Sequence, residues 1–424
     1  MTTPFSTESA FATQLDNSDA LAPFRNQFHI PVHGGVEQTY LCGHSLGLQP
    51  RRTAELMSEE LTQWQRRAVE GHFEGARPWL SYHELLAPGL SELTGSGISE
   101  VVAMNSLSVN LHLMLISFYR PTPQRYKIVI EQSAFPSDHY AVTSQIKLHG
   151  FDPATALITI KPRDGEDVIR TEDILALLQR EGHAIATVML PGVQYLTGQV
   201  FDMKAIVRAA HVQGCNAGFD LAHAIGNIPL QLHDWNIDFA IWCSYKYLNS
   251  GPGSIGGCFV HQRHAKQDLP RLAGWWGHDK TSRFEMPAGF SPIAGAEGWQ
   301  LSNPPIFACA PLLASLDVFK QAGIDKLRSK SLQLTGYLRF LLQSWLKDDV
   351  TIITPQQDDE HGCQLSLRLN VSVARARSVH QQLLDRGFVV DWREPDIIRA
   401  APVPLYNRYQ DVWRFANALR EVMQ

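Results

Sequence analysis

The sequence predicts an α/β protein with a large, mostly parallel sheet and a smaller α+β C-terminal domain. Three observations carry this. Between about residues 95 and 260, short β-branched runs alternate with helical stretches, the pattern of βαβ units. Beyond residue 304 the texture changes to two long helical patterns followed by short strands. The composition is globular: 44% of the 424 residues are hydrophobic and 19% charged, below the usual share of about 25% charged.

In the first region seven runs read as strands, at residues 101–105, 127–131, 156–160, 187–190, 217–220, 239–243 and 255–260. Helical patterns at 108–118, 137–149, 172–180 and 203–212 lie between several of them. In the second region, helices at 306–321 and 324–346 precede strands at 351–354 and 364–370. A helix at 374–386, strands near 388–392 and 397–400, and a closing helix follow. In that last helix Val412, Phe415, Leu419 and Val422 recur at helical spacing and form one apolar face. At roughly 150 residues per domain the length alone allows two or three domains. The change of texture selects two: a large one over 46–305, and a small one over 306–424 on which 1–45 packs.

Several function classes drop out. The net charge is −5, from 37 basic and 42 acidic side chains, so no basic excess exists to neutralise a nucleic-acid backbone. An anionic ligand must be held by a few placed groups. None of the six cysteines forms a C-x-x-C pair, and their apolar surroundings predict reduced core thiols with no metal site. Residues 1–20 lack the basic and apolar regions of a signal peptide. The longest apolar run, 111–119, contains His112 and is far short of the ~18 residues of a membrane span. The expectation is a cytoplasmic protein with no membrane or nucleic-acid partner.

In sheets of this kind ligands collect at the carboxyl ends of the strands, so the residues just after each strand carry the chemistry. After the strand ending at Cys243 comes Lys246, between Tyr245 and Tyr247 and ahead of a glycine-rich turn. A poorly solvated lysine has a lowered pKa and can attack a carbonyl; taken alone, a lysine snorkelling to water is the commoner arrangement. The turn also matches G-x-G-x-x-G at Gly251, Gly253 and Gly256. It leads into a strand, whereas a dinucleotide fingerprint opens a helix, so the match is accidental. Asp220 ends another strand with His223 three residues on. Such a carboxylate would keep the pyridine nitrogen of pyridoxal phosphate protonated; capping the next segment is the plain alternative. Residues 105–110 join a strand to a helix start suited to a phosphate or to an ordinary cap. Phe135, after a further strand, could stack on a planar ring.

Phosphate cap, aromatic, aspartate and lysine, in that order along one βαβ region, form the layout of an aspartate-aminotransferase-type (fold type I) pyridoxal-phosphate enzyme. Seven motifs make the resemblance specific: YLCGHSLGL at 40–48, FPSD at 135–138, GFDLAHA at 218–224, SYKYLN at 244–249, GWWGH at 274–278, SNPP at 302–305 and RAAPVPLYN at 399–407. With these the sequence resembles the kynureninase family, which hydrolyses L-kynurenine or its 3-hydroxy form to an anthranilate and L-alanine. The resemblance covers nearly the whole chain. It implies that Lys246 bonds the cofactor, that Asp220 partners the ring nitrogen, and that Phe135 stacks on the ring. Asp138 and His223 line the same pocket, while Leu107, Ser108, Tyr245, Trp275 and Asn303 surround the phosphate end. Arg399 matches the arginine for the α-carboxylate of an amino-acid substrate, and His72 and Ser45 match positions on the substrate's aromatic side. Tyr245 is implied as a proton donor, and the family implies a homodimer with active sites near the subunit boundary.

Three positions depart from the family pattern. His44 stands in place of asparagine beside the substrate, Ser108 in place of threonine, and Pro191 where some members have a cofactor-contacting serine. Two other readings compete. A cysteine desulfurase of the same fold would need a nucleophilic cysteine, for which Cys309 and Cys363 are the candidates, without a glycine-rich loop. A non-catalytic pyridoxal-phosphate-binding protein would not need Lys246 and Arg399 with their motifs intact.

Overall fold

The alternation of apolar runs and helices becomes one twisted sheet in the computed structural model, which describes residues 5–424. Its strands are β1 (Val101–Ala103), β2 (Lys127–Glu131), β3 (Leu157–Ile160), β4 (Ile185–Pro191), β5 (Asn216–Asp220), β6 (Phe239–Cys243) and β7 (Gly256–Val260). They lie in the order β1-β7-β6-β5-β4-β2-β3. Neighbours from β6 to β3 pair in parallel, and β7 runs antiparallel to both β1 and β6. Every residue of β6 and β7 is buried, as a sheet covered on both faces requires. Because the parallel strands point the same way, the residues that follow them gather along one edge.

Two helices from this region frame that edge: α1 (Leu107–Phe118) after β1 and α2 (Pro136–Leu148) after β2. Beyond the last strand, α3 (Ile306–Ala322) packs its buried face, including Leu312, Leu316 and Phe319, into the core of the sheet region. It leads into α4 (Ile324–Leu346). No single helix among the described residues is long and apolar enough to cross a membrane; α3 and α4 together pass by length and composition but are bent by 81°.

The C-terminal part forms a second sheet from β8 (Val350–Ile352), β9 (Leu365–Leu369), β10 (Asp391–Arg393) and β11 (Ile397–Ala400), in the antiparallel order β8-β9-β11-β10. Helices Val373–Asp385 and Tyr409–Met423 cover it with α4. Val412, Phe415, Leu419 and Val422 of the last helix are all buried in this cluster. The run expected as one strand at 388–392 divides instead. Phe388–Val389 pairs in parallel with Thr39–Tyr40 near the N-terminus, while β10 pairs with β11.

The N-terminal segment reinforces this part. Asp16, at the end of helix Ser9–Asn17, accepts hydrogen bonds from the backbone N–H of Tyr409 (2.6 Å) and Gln410 (3.1 Å), satisfying orphan donors at the start of the last helix. Lys330 of α4 pairs with Asp19 at 2.7 Å, both buried. Of the N-terminal residues expected to pack here, 1–4 lie outside the described ones. All six cysteines are free, five of them buried and Cys42 half-buried.

Candidate active site

A cavity of about 290 Å³ opens along the carboxyl edge of the large sheet and reaches β10 and β11 of the small one. It brings together eleven of the residues singled out from sequence: His44, Ser45, Leu107, Ser108, Phe135, Asp138, Asp220, His223, Tyr245, Lys246 and Arg399. Pro191, at the end of β4, also lines it.

Lys246 follows β6 directly. Its Nζ donates to Nε2 of His223 at 3.0 Å and stands 5.9 Å from the ring centroids of both Phe135 and Tyr245. No carboxylate pairs with it among the described residues. Burial, together with the nearby charges of Lys246 and Arg399, holds the His223 imidazole well below its ordinary pKa, so its Nε2 is a neutral acceptor. The other ring nitrogen of His223 is buried and unbonded, as are both nitrogens of fully buried His44. His44 too is held far down, by burial first and then by Arg399, Arg393 and Lys246. Buried polar atoms left unbonded cost about 1–3 kcal/mol each, which marks the cavity as shaped for a polar ligand.

Three buried carboxyl groups stand on the sheet side. Asp220 ends β5 and accepts the backbone N–H of Ala222 at 2.7 Å. Asp138, in the first turn of α2, shares a hydrogen bond with it. Burial and the Asp220 charge push Asp138 well above the usual carboxylate range. Burial also raises Asp220, but the Lys246 charge and the Ala222 and Asp138 hydrogen bonds draw it back. Both are held above the ordinary carboxylate range, Asp138 the further, so of the two Asp138 holds a proton more readily. Glu131, the last residue of β2, is pushed up to about 8 by burial, and Asp220 adds to this.

On the far side, Arg399 of β11 is 1% exposed. Its Nε and Nη2 both reach Oδ1 of Asp391 at 2.8 Å, and Nη1 donates to the Tyr195 carbonyl at 2.7 Å. Arg393 approaches the same Asp391 oxygen at 2.9 Å through Nε and lines the cavity beside Tyr195. The Tyr195 ring meets Phe135 edge-on, with centroids 5.4 Å apart. Glu131, Tyr195, Asp391 and Arg393 were not evident from sequence. The available signal was the antiparallel β10–β11 pairing, in which Asp391 lies opposite Arg399, with Arg393 two residues from Asp391 on the same face.

The segment 43–47 is pressed onto the lysine loop. The N–H of Gly47 donates to the Tyr245 carbonyl at 2.8 Å. A Cβ at Gly47 would lie 2.3 Å from the Lys246 carbonyl oxygen, and one at Gly43 would lie 2.2 Å from the Tyr406 hydroxyl. Only glycine permits this approach, and it fixes His44 and Ser45 against the cavity.

His72, Trp275 and Asn303 are absent from the cavity lining. Two of them, His72 and Trp275, lie among outer aromatic side chains. Trp275 is 41% exposed and its ring meets Phe284 at 5.5 Å; Phe284 meets Phe73 at 6.4 Å, and His72 packs edge-on to Trp79 at 5.3 Å. Asn303 is exposed as well. Cys309 and Cys363 also lie outside the cavity, buried, with thiols raised to about 12 by burial. Buried and outside the cavity, neither is placed as its nucleophile.

The cavity residues fit pyridoxal phosphate. Asp220 is a buried carboxylate with no fixed cation bonded to it, as a protonated ring nitrogen requires. Phe135, 45% exposed, lines the same cavity, with Lys246 Nζ 5.9 Å from its ring centroid. At the phosphate end, Ser106 at the N-cap of α1 makes no side-chain cap, so the first-turn amides of Leu107 and Ser108 remain free for an anion.

Comparison with known proteins agrees with this arrangement. The profile of a family described as "Kynureninase C-terminal domain" matches residues 327–419. The chain is similar to kynureninases from Koribacter versatilis (55% identity, covering 97% of each chain) and Myxococcus xanthus (55%, 99% of each). A third, from Stenotrophomonas maltophilia, is 55% identical over 96% of each chain. Among solved structures, the cystine C–S lyase C-DES, in a mutant with glycine linked to its PLP cofactor, superposes with a TM-score of 0.78 at 17% identity, covering 93% of this chain and 98% of its own. The cysteine desulfurase CsdA from Escherichia coli gives 0.75 at 17%, with coverage of 95% and 98%. These likenesses establish a fold type I pyridoxal-phosphate architecture.

Proposed function

This chain belongs to the kynureninase family, and on that premise we propose how its own residues carry out the pyridoxal-phosphate-dependent hydrolysis of L-kynurenine to anthranilate and L-alanine. The cofactor, when bound, supplies an aldehyde that links to amines and a protonated ring that draws electrons from the substrate α-carbon. Lys246 first holds the cofactor and, once displaced by the substrate amine, takes the α-proton at Nζ. The observation that carries this role is the 3.0 Å contact of Nζ with His223. A neutral imidazole orients the amine without pinning it as a salt bridge would.

Asp220 keeps a proton on the ring nitrogen, and Asp138 stabilises the Asp220 charge by donating to it. Phe135 packs on the ring face. Leu107 and Ser108 receive the phosphate at the start of α1. Arg399 binds the substrate α-carboxylate, and His44 and Ser45 contact the substrate from the 43–47 segment. Tyr245 donates a proton from its hydroxyl; burial pushes that group well above its ordinary value, so it stays protonated and able to donate. Water then adds to the γ-carbonyl, the bond to the β-carbon breaks to release anthranilate, the β-carbon takes up a proton for which the Tyr245 hydroxyl would be the donor, and Lys246 would return the α-proton so that L-alanine leaves.

His72, Trp275 and Asn303 complete the site from a second copy of the chain. Their exposed aromatic face supports a homodimer in which Trp275 and Asn303 close the phosphate end and His72 the aromatic end of the partner's cavity. The division into a large domain over 46–305 and a small one over 306–424 with 1–45 rests on the small sheet having its own apolar cluster with α4 and the last helix, although α3, Leu21 and Phe28 pack with the large sheet instead. We read the enzyme as cytoplasmic, with no nucleic-acid or membrane partner, acting in tryptophan catabolism. It would feed NAD biosynthesis where 3-hydroxykynurenine is the substrate. Comparing kcat/KM for the two substrates tests that preference. For the lysine, Lys246→Ala is expected to lower turnover of kynurenine by at least about a thousandfold. Retained multiple turnover in that variant would overturn the assignment.

A further inference from the structure

Arg399 alone does not present a free guanidinium fork. Its Nε and Nη2, the edge that usually grips a carboxylate bidentately, are both directed at Asp391 Oδ1 at 2.8 Å. One Nη1 proton goes to the Tyr195 carbonyl at 2.7 Å. What remains toward the cavity is one proton on each terminal nitrogen. Arg393 is arranged differently. Its Nε lies 2.9 Å from the same Asp391 oxygen without making a hydrogen bond, and its Nη2 donates to the other oxygen at 3.3 Å. Its side chain is 35% exposed, against 1% for Arg399, and it lines the same cavity.

The register explains how the two cations come to face one space. Asp391 lies directly opposite Arg399 in the β10–β11 pair, and Arg393 is two residues along the same strand, so all three side chains share a face. Two guanidinium groups around one carboxylate leave a net charge of +1 at the mouth of a partly desolvated cavity. That charge is complementary to one further carboxylate. Asp391 removes the repulsion that would otherwise spread the two arginines apart.

We propose that Arg393 is a second binding group for the substrate α-carboxylate, contacting it together with the end of the Arg399 guanidinium while Asp391 serves as their shared counter-ion. This rests on the reading that Arg399 faces the α-carboxylate. The consequence is selectivity for substrates with a carboxylate at that position, with binding weakened by salt because Arg393 is partly exposed.

The test uses two unreactive ligands and the cofactor-loaded enzyme. 4-(2-Aminophenyl)-4-oxobutanoate keeps the carboxylate and the aryl ketone of kynurenine but lacks the amine that reacts with the cofactor. 2′-Aminopropiophenone lacks both the amine and the carboxylate. Calorimetric titration gives Kd for each against the parent, Arg393→Gln, Arg393→Lys and Arg399→Gln. Arg393→Gln is expected to weaken the carboxylate ligand about tenfold and leave the ketone unchanged, since a charge-assisted hydrogen bond is being removed from one ligand only. Arg393→Lys should recover part of that loss, which separates charge from misfolding. With kynurenine itself, Arg393→Gln should raise KM by a similar factor with kcat within about threefold, as for lost uniform binding. Equal effects on both ligands, or no effect on either, would overturn the proposal. If Arg399→Gln also fails to weaken the carboxylate ligand, the underlying reading of Arg399 falls with it. If Arg399→Gln weakens that ligand and Arg393→Gln does not, the role of Arg393 alone is refuted.

Discussion

The cavity and the outer aromatic face solve the same problem differently. Asp220, Asp138 and His223 are buried and Lys246 half-buried, on the strand ends, turns and helix start along the carboxyl edge of the sheet. Trp275 and Asn303 are exposed and His72 half-buried, all on loops and short turns, yet Trp275 and Asn303 carry family motifs as specific as those of the cavity. The first group is rigid because the sheet cannot shift without exposing its core. The second gains a fixed position only when something covers it. In the proposed homodimer, the fold of one chain would serve acid–base chemistry and association would serve closure.

The comparison breaks most visibly at the aromatic face. Phe284→Asp places a charge between Trp275 and Phe73. It is expected to convert the protein to monomers in sedimentation and to lower turnover about a hundredfold, as loss of an interface anchor does. An active monomer would show that the face closes nothing. A smaller effect comes from the cavity side. Gly47→Ala puts a methyl 2.3 Å from the Lys246 carbonyl oxygen. Either the 43–47 segment or the lysine loop must then move, with kcat expected to fall about tenfold and the dimer to persist. Unchanged kcat would show that the segment does not set the lysine's position.

The smallest expected effect concerns Glu131. Its carboxyl is raised from 4.5 to about 8, by burial first and Asp220 second. Below pH 4.5 the folded and unfolded forms are both protonated there and the group is neutral in its effect. Between these values the unfolded chain ionises first, so stability falls as pH rises through that window. Glu131→Gln removes this loss. Its Tm should exceed the parent's by about 2 °C or more at pH 8, with little difference at pH 5. A pH-independent difference would contradict the shift.

Most of the large sheet was legible because strands buried on both faces read as continuous apolar runs, as at Phe239–Cys243. Strand direction was not, since the pattern of β7 is the same whether it runs parallel or antiparallel. The split at 388–392 was hidden for a similar reason. The alternation continues through Val390, while the hydrogen-bonding partner changes from the remote Thr39–Tyr40 to the adjacent β11. In the site, Lys246, Asp220 and Arg399 stood out as strand-end or motif residues. Asp391 and Arg393 became visible only through their register against Arg399. His72, Trp275 and Asn303 were found by resemblance, although no contact within one chain brings them to the cavity.

The division of labour between the two regions can be tested by mixing two defective variants. Lys246→Ala removes the proposed cofactor-bonding lysine and Asn303→Ala the proposed closing residue of the outer face. Each is expected to be inactive as a homodimer. Unfolded, mixed and refolded together with cofactor, they form mixed dimers in half of the random pairings, each holding one cavity with an intact lysine and an intact neighbouring Asn303. The expected result is recovery of roughly a quarter of the parental kynurenine turnover. No recovery above the two variants alone, with mixed dimers demonstrated by mass spectrometry, would contradict a site completed by the second copy.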